Sequence, residues 1–275
     1  MKLLLSLLML MVSAVALAAD RAPLFAERQR YAKELVQLPL ASGELTVLQR
    51  SPTVTARKGS ALLFADIGSD PEKSPRIRAL RLALNDSGWH SWAVIPPPTP
   101  PRPAHVSPAG PGSAPAPAVN PEKVDEWLPG NSANEALAEL RTALAAQLAR
   151  VREELPKQGF QIIIAEGMSG PLLAEALAAG DVPSVDALIV MGPYLPLTSM
   201  NGAVGDTLAA TQSPLLDLVM VEDHPLAIEG APQRAIAARL NYLAHYRQRQ
   251  LLVSAAADSA TLVTEVNAFL RYLGW

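Results

Sequence analysis

The chain has no cysteine, which excludes disulfides, thiolate nucleophiles and thiolate metal sites together. Histidine is scarce: His90, His105, His224 and His245 are the whole supply, so any imidazole chemistry must draw on one of four residues. There is no H-x-x-x-H pair and no cluster of aspartates, so neither a metal nor a cofactor is expected. A basic block is also missing. With 23 Lys and Arg against 26 Asp and Glu, and a pI near 5.8, the composition points away from nucleic acid and from anionic membranes as partners. No repeat occurs at solenoid or propeller spacing.

Long apolar runs are confined to the start. Lys2 supplies a positive charge, Leu3 to Leu17 is apolar, and Ala16 Leu17 Ala18 has the small-x-small form of a cleavage site. That is the layout of a secretory signal, and the run falls short of the ~20 residues needed to cross a bilayer. Cleavage after Ala18 would leave residues 19–275 as one domain with no membrane span, exported and periplasmic. Its size suits a single α/β unit with a substantial core.

Hydrophobic periodicity then lays out the elements. Leu24 to Leu38 reads as an amphipathic helix and Glu44 to Arg50 as a first strand. Ser60 to Phe64 reads as a buried strand, Ile77 to Leu84 as a helix that Gly88 can end, and Trp89 to Ile95 as the next strand. This is a β-α-β unit, implying parallel strands joined by a right-handed crossover. Pro96 to Pro121 breaks the pattern with Pro, Ala, Ser and Gly and only two valines among larger apolar residues. It reads as a flexible loop, whether a cleft cover, a docking segment or a tolerated insertion. Ser132 and Glu135 then form a capping box before a stripe from Leu137 to Leu155. Strands follow at Phe160 to Ala165, Ala187 to Met191, Leu215 to Val221 and Gln250 to Ser254. Helices follow at Leu172 to Leu177, Ala231 to Tyr246 and Leu262 to Leu273.

The most informative segment is Phe160 to Gly170, FQIIIAEGMSG. A buried strand runs straight into a turn and a helix, with small residues Ala165 and Ser169 two before and two after the apex. This is the layout of the nucleophile elbow of α/β-hydrolases, yet Gly167 stands at the apex. Glycine tolerates a strained apex but brings no nucleophile. In a second register Ser169 is the nucleophile, but Pro171 then takes the place of the last small residue. A capping role for Ser169 at the following helix is the simpler account.

In an α/β-hydrolase the acid follows a late strand and the histidine follows the last one. Glu222 Asp223 His224 follow Leu215 to Val221, so an acid stands in its place. The loop Ala255 to Asp258 contains no histidine. Of the four imidazoles, His224 is the replacement at the correct sheet edge, while His245 reads as lying on a solvated helix face. Asp66 and Gly68 fall where an oxyanion-hole loop would lie, or form an ordinary turn in which Asp66 caps an amide. Glu166 beside the apex is either an acid at the cleft or an exposed residue that satisfies the turn, and Glu166 with Asp223 would make a carboxylate pair. Asp66, Gly68, Glu166 and Met168 are the candidate cleft residues.

Gly59 to Gly68, the helix ending at Gly88 Trp89, the proline-rich break, Ala165 to Gly170, Pro214 to Asp217 and Tyr246 Arg247 Gln248 together resemble a known family. It is the secreted bacterial α/β-hydrolase-like proteins of unknown function, and the likeness runs from about Glu27 to the C-terminus. Glycine at the elbow apex is frequent there, matched by Gly167, whereas Glu166 departs from the histidine that often precedes it. The resemblance implies export and a mostly parallel sheet with helices on both faces, and no established reaction. The expected function is binding of a small-molecule or envelope ligand by a protein without the standard triad. The alternative is a periplasmic serine esterase built on Ser169, Asp223 and His224.

Overall fold

Four apolar runs account for the centre of the molecule. In the computed structural model, which describes residues 31–98, 131–252 and 259–275, they form β3 (Gly59–Phe64), β5 (Phe160–Glu166), β6 (Ala187–Met191) and β7 (Leu215–Met220). Every residue of β3, β6 and β7 is buried, as expected of parallel strands covered on both faces. With β1 (Leu35–Leu40), β2 (Gly43–Arg50), β4 (Trp89–Val94) and β8 (Tyr246–Leu251) they make one sheet in the order β1-β2-β4-β3-β5-β6-β7-β8. β2 runs antiparallel to both neighbours, and the pairs from β4 to β8 are parallel. The fold is thus an α/β-hydrolase-like, mostly parallel sheet with helices on both faces.

The pleat divides each strand between two cores. Leu62, Phe64, Ile163, Ala165, Leu188 and Val190 face one side and pack with Leu137, Leu140, Leu144 and Leu148 of α2 (Asn131–Glu154). Ala61, Leu63, Ile162, Ile164 and Ile189 face the other and meet Ile77, Leu80 and Leu84 of α1 (Pro75–Asp86), and Leu262, Val266 and Phe269 of α8 (Ser259–Tyr272). The first core also takes in Leu172, Leu173 and Leu177 of α3 (Ser169–Ala179), Val204 and Leu208 of α5 (Val204–Ala210) and Ala238 of α7 (Ala231–Leu240), with the short helices α4 (Thr198–Asn201) and α6 (Pro225–Glu229) joining them along the chain.

Three expectations need correcting. Leu35 to Leu38 is strand, not helix: Leu35, Val36, Leu38 and Leu40 fit both periods, and antiparallel pairing of Val36 with Val47 decides for β. The helix from Ala231 stops at Leu240, where Asn241 caps it. The last strand is Tyr246–Leu251 rather than Gln250 to Ser254. Consequently His245 lies in the turn before β8, its Nδ1 3.2 Å from the Tyr272 hydroxyl. The Ser132 side chain of the capping box lies outside the described residues. So do the signal segment, His105, the proline-rich loop from residue 99 onward and the Ala255 to Asp258 loop.

β8 is polar because it is a sheet edge that supplies partners to one buried charge. Asp217, fully buried in β7, accepts from Arg234 Nε at 2.8 Å and Nη2 at 3.1 Å, Tyr246 Oη at 3.0 Å and Gln248 Nε2 at 2.8 Å. Arg234 is itself 2 % exposed. Removing Asp217 would strand a buried guanidinium, at a cost of roughly 3–5 kcal/mol. Asp217→Ala is therefore expected to lower the melting temperature by about 10 °C; a variant melting within about 2 °C of the parent would contradict this.

Candidate functional site

Parallel strands place their C-terminal ends along one edge of the sheet, where clefts form in open α/β folds. The loops after β3, β5, β6 and β7 all open there, onto a cavity of about 600 Å³ lined by Asp66, Arg76, Glu166, Tyr194, Asp223 and His224, among others. Gly167 and Gly192 form parts of its wall.

The turn after β5 has the sharpness expected of an elbow. Gly167 adopts φ +58°, its N–H donates to Met191 O at 2.9 Å, and α3 starts two residues later. The positive φ is only half of the demand for glycine. A Cβ at 167 would lie 2.2 Å from Asp66 Cγ and 2.4 Å from both carboxylate oxygens, so the space an attacking side chain would need is filled by Asp66. Gly192 repeats the arrangement at the end of β6, with φ +55° and a Cβ position 2.5 Å from Asp223 Cγ.

Asp66 reaches this place from the loop after β3. Its Oδ1 accepts from the N–H of Ile67 and the N–H of Met168, both at 2.8 Å. These are the donors a hydrolase would aim at a tetrahedral oxyanion: one from the residue after the apex, one from the β3 loop. Oδ2 accepts from the Tyr194 hydroxyl at 3.4 Å. The structure shows the capping role expected of Asp66, extended from the neighbouring amide of Ile67 to that of Met168 after the apex. Burial raises its pKa above the ordinary 3.8, and the two amides, Tyr194 and Arg76 oppose the rise only in part. Because the folded value is the higher one, this group favours folding most below pH 3.8, and that contribution is lost as pH climbs through the folded value. Gly68 takes φ +74°, and its N–H donates to Pro97 O at 3.1 Å.

Arg76 is the hub of the remaining charge. Nη1 lies 2.5 Å from Asp223 Oδ1 and 3.6 Å from Glu166 Oε1, and Nη2 lies 3.2 Å from Glu222 Oε1. Burial alone would lower its pKa, but the Asp223 and Glu166 carboxylates more than offset that and leave it raised. Asp223 Oδ2 also accepts from Met220 N at 2.7 Å. Glu166 is half-buried rather than exposed; its Oε2 accepts from Ser74 Oγ at 2.6 Å, and burial holds its pKa above the usual range. Ser74 also caps α1 by accepting from Ile77 N at 3.2 Å, so the start of α1 is tied to the elbow strand.

No hydrogen bond joins Ser169 to His224 among the described residues. Its Nδ1 accepts from Leu226 N at 3.2 Å, and its ring stacks on Tyr194 with centroids 4.1 Å apart and 3° between planes. Burial lowers its pKa, favouring a neutral ring with the proton on Nε2. Ser169 is fully buried, and its hydroxyl donates to Ala65 O at 2.6 Å. It is not the helix cap: that position belongs to Met168, whose side chain makes no capping bond. Ser169, Met168 and Gly68 are not part of the cavity wall. Among the described residues no group of three or more His, Asp or Glu could hold a metal.

The sequence offered no pointer to Tyr194. Arg76 and Ser74 had one unused signal, the helix-start sequence Ser74 Pro75 Arg76 directly after the β3 loop.

The family model described as "Protein of unknown function (DUF3530)" matches residues 11–271. The chain belongs to the DUF3530 family. No curated protein matches it. Among solved structures, the DUF3530 chain is similar to the esterase Est2 of the Planctomycetes species Thermogutta terrifontis, with TM-score 0.60 and 11% identity over 88% of this chain and 94% of that one. Est1E of Butyrivibrio proteoclasticus gives TM-score 0.58 and 9% identity over 86% and 99%. TT1662 of Thermus thermophilus gives 0.52 and 17% over 86% and 96%. At such identities the likeness is one of fold, the α/β-hydrolase fold.

Interlocking of Gly167 with Asp66 yields a coupling test. Gly167→Ala is expected to cost about 1–3 kcal/mol from backbone strain alone, plus the clash with the Asp66 carboxylate. In an Asp66→Ala background the clash disappears, so the same substitution should cost measurably less by urea denaturation. Equal costs in both backgrounds would show that the two positions do not touch.

Proposed function

We propose that this chain is an exported protein that keeps the α/β-hydrolase cleft without the standard triad and works by binding, as an accessory protein of the cell envelope. One observation carries the reading: the apex is Gly167, and the two amides that would stabilise an acyl-transfer intermediate are already held by the protein's own Asp66 carboxylate. Covalent acyl transfer needs an attacking atom and a vacant anion pocket; this cleft offers neither. The cavity remains, with its polar wall fixed by Arg76, and a preformed concave site is what a small ligand requires. The esterase reading built on Ser169, Asp223 and His224 loses support from the Ser169 bond to Ala65 O. Export rests on the Lys2 to Ala18 segment alone.

Purified mature protein is expected to hydrolyse short-chain nitrophenyl esters no faster than buffer, with Ser169→Ala and His224→Ala making no difference. Turnover that either change abolishes would overturn the binding reading in favour of the enzyme. For export, N-terminal sequencing of the protein from a periplasmic extract should begin at Ala19; a cytoplasmic product that keeps Lys2 would contradict it.

A further inference from the structure

Asp66 behaves as a ligand would. A single oxygen, Oδ1, takes both amide donors at 2.8 Å, while Oδ2 accepts, among the described residues, over the long 3.4 Å contact from Tyr194. The pocket lies where α3, an eleven-residue helix, begins, and its N-terminal field adds attraction for an anion. The same carboxylate forms part of the wall of the 600 Å³ cavity, so it stands between the two buried amides and the open space of the cleft. Gly167 supplies the second half of the design, because any side chain there would expel the occupant.

We propose that Asp66 is a displaceable internal occupant of a carboxylate seat made by the Ile67 and Met168 N–H groups, and that the carboxylate of a ligand takes this seat when Asp66 leaves it. The inference rests on reading the cleft as a binding site and names the group that site recognises. In the resting protein the seat is self-blocked, so ligand anions compete with an intramolecular carboxylate whose effective concentration is high. Arg76, already committed to Asp223, Glu222 and Glu166, stays near enough to favour negative charge in the seat, as it does for Asp66.

The test is a titration of the ¹⁵N-labelled mature chain with sodium acetate, against sodium chloride at matched ionic strength, following the Ile67 and Met168 amide resonances. In Asp66→Ala both amides are expected to shift saturably with acetate and not with chloride, with affinity at least about tenfold above the parent's. Asp66→Ser, which shortens the side chain but keeps it polar, gives the same readout if alanine prevents folding. Octanoate in a parallel titration distinguishes a free small acid from an acyl chain carrying the same group. Equal acetate response in parent and variant, or no response in a folded variant, would overturn the seat. Ester turnover by the parent protein would instead sink the binding reading, so the two failures are distinguishable.

Discussion

The bonds from the Ile67 and Met168 amides to the Asp66 carboxylate constrain everything else at the cleft. A carboxylate withdrawn from water is costly unless charge-assisted donors replace its hydration, and the two amides, at 2.8 Å each, do so in part. For both to point at one oxygen, the chain after β5 must turn sharply, which Gly167 permits at φ +58°. For the carboxylate to fit, position 167 must lack a Cβ. Glycine at the apex thus answers two demands at once, a positive φ and room for the Asp66 carboxylate.

A second constraint is charge balance around Arg76. Asp223, Glu222 and Glu166 come from the ends of two strands and share one guanidinium on α1. The shared cation fixes the entrance of α1 against β5 and β7, with Ser74 adding a bond to Glu166. Asp223, standing where a triad acid would, therefore turns its carboxylate to arginine and to the Met220 amide rather than to an imidazole. The cleft is preorganised, and its donors are spent internally.

The central strands were legible because burial on both faces leaves an unbroken apolar run, as in Ile162 Ile163 Ile164 and Leu188 Ile189 Val190. β8 was misplaced for the opposite reason. Its residues Tyr246, Arg247, Gln248 and Arg249 carry no hydrophobic period, and two of them serve Asp217 instead. β1 was read as helix because its apolar spacing fits both periods, and only pairing with β2 separates them. Asp66, Glu166, Gly167, Asp223 and His224, singled out by position after their strands, do line one cavity. What no spacing rule could give was direction: Ser169 points inward to Ala65 O, the helix-start signal at Ser74 Pro75 does not say that Arg76 turns to the cleft, and Tyr194 carries no motif.

The hold of Asp66 on the two amides is tested most directly by following the backbone amide protons of Ile67 and Met168 while pH is lowered. Protonating the carboxyl weakens both hydrogen bonds, so the account requires both resonances to move together with one midpoint, above the ordinary aspartate value of 3.8. Amides that stay still while Asp66 titrates, or that move with unrelated midpoints, would show that the carboxylate lies elsewhere and that the two amides are not bonded to it.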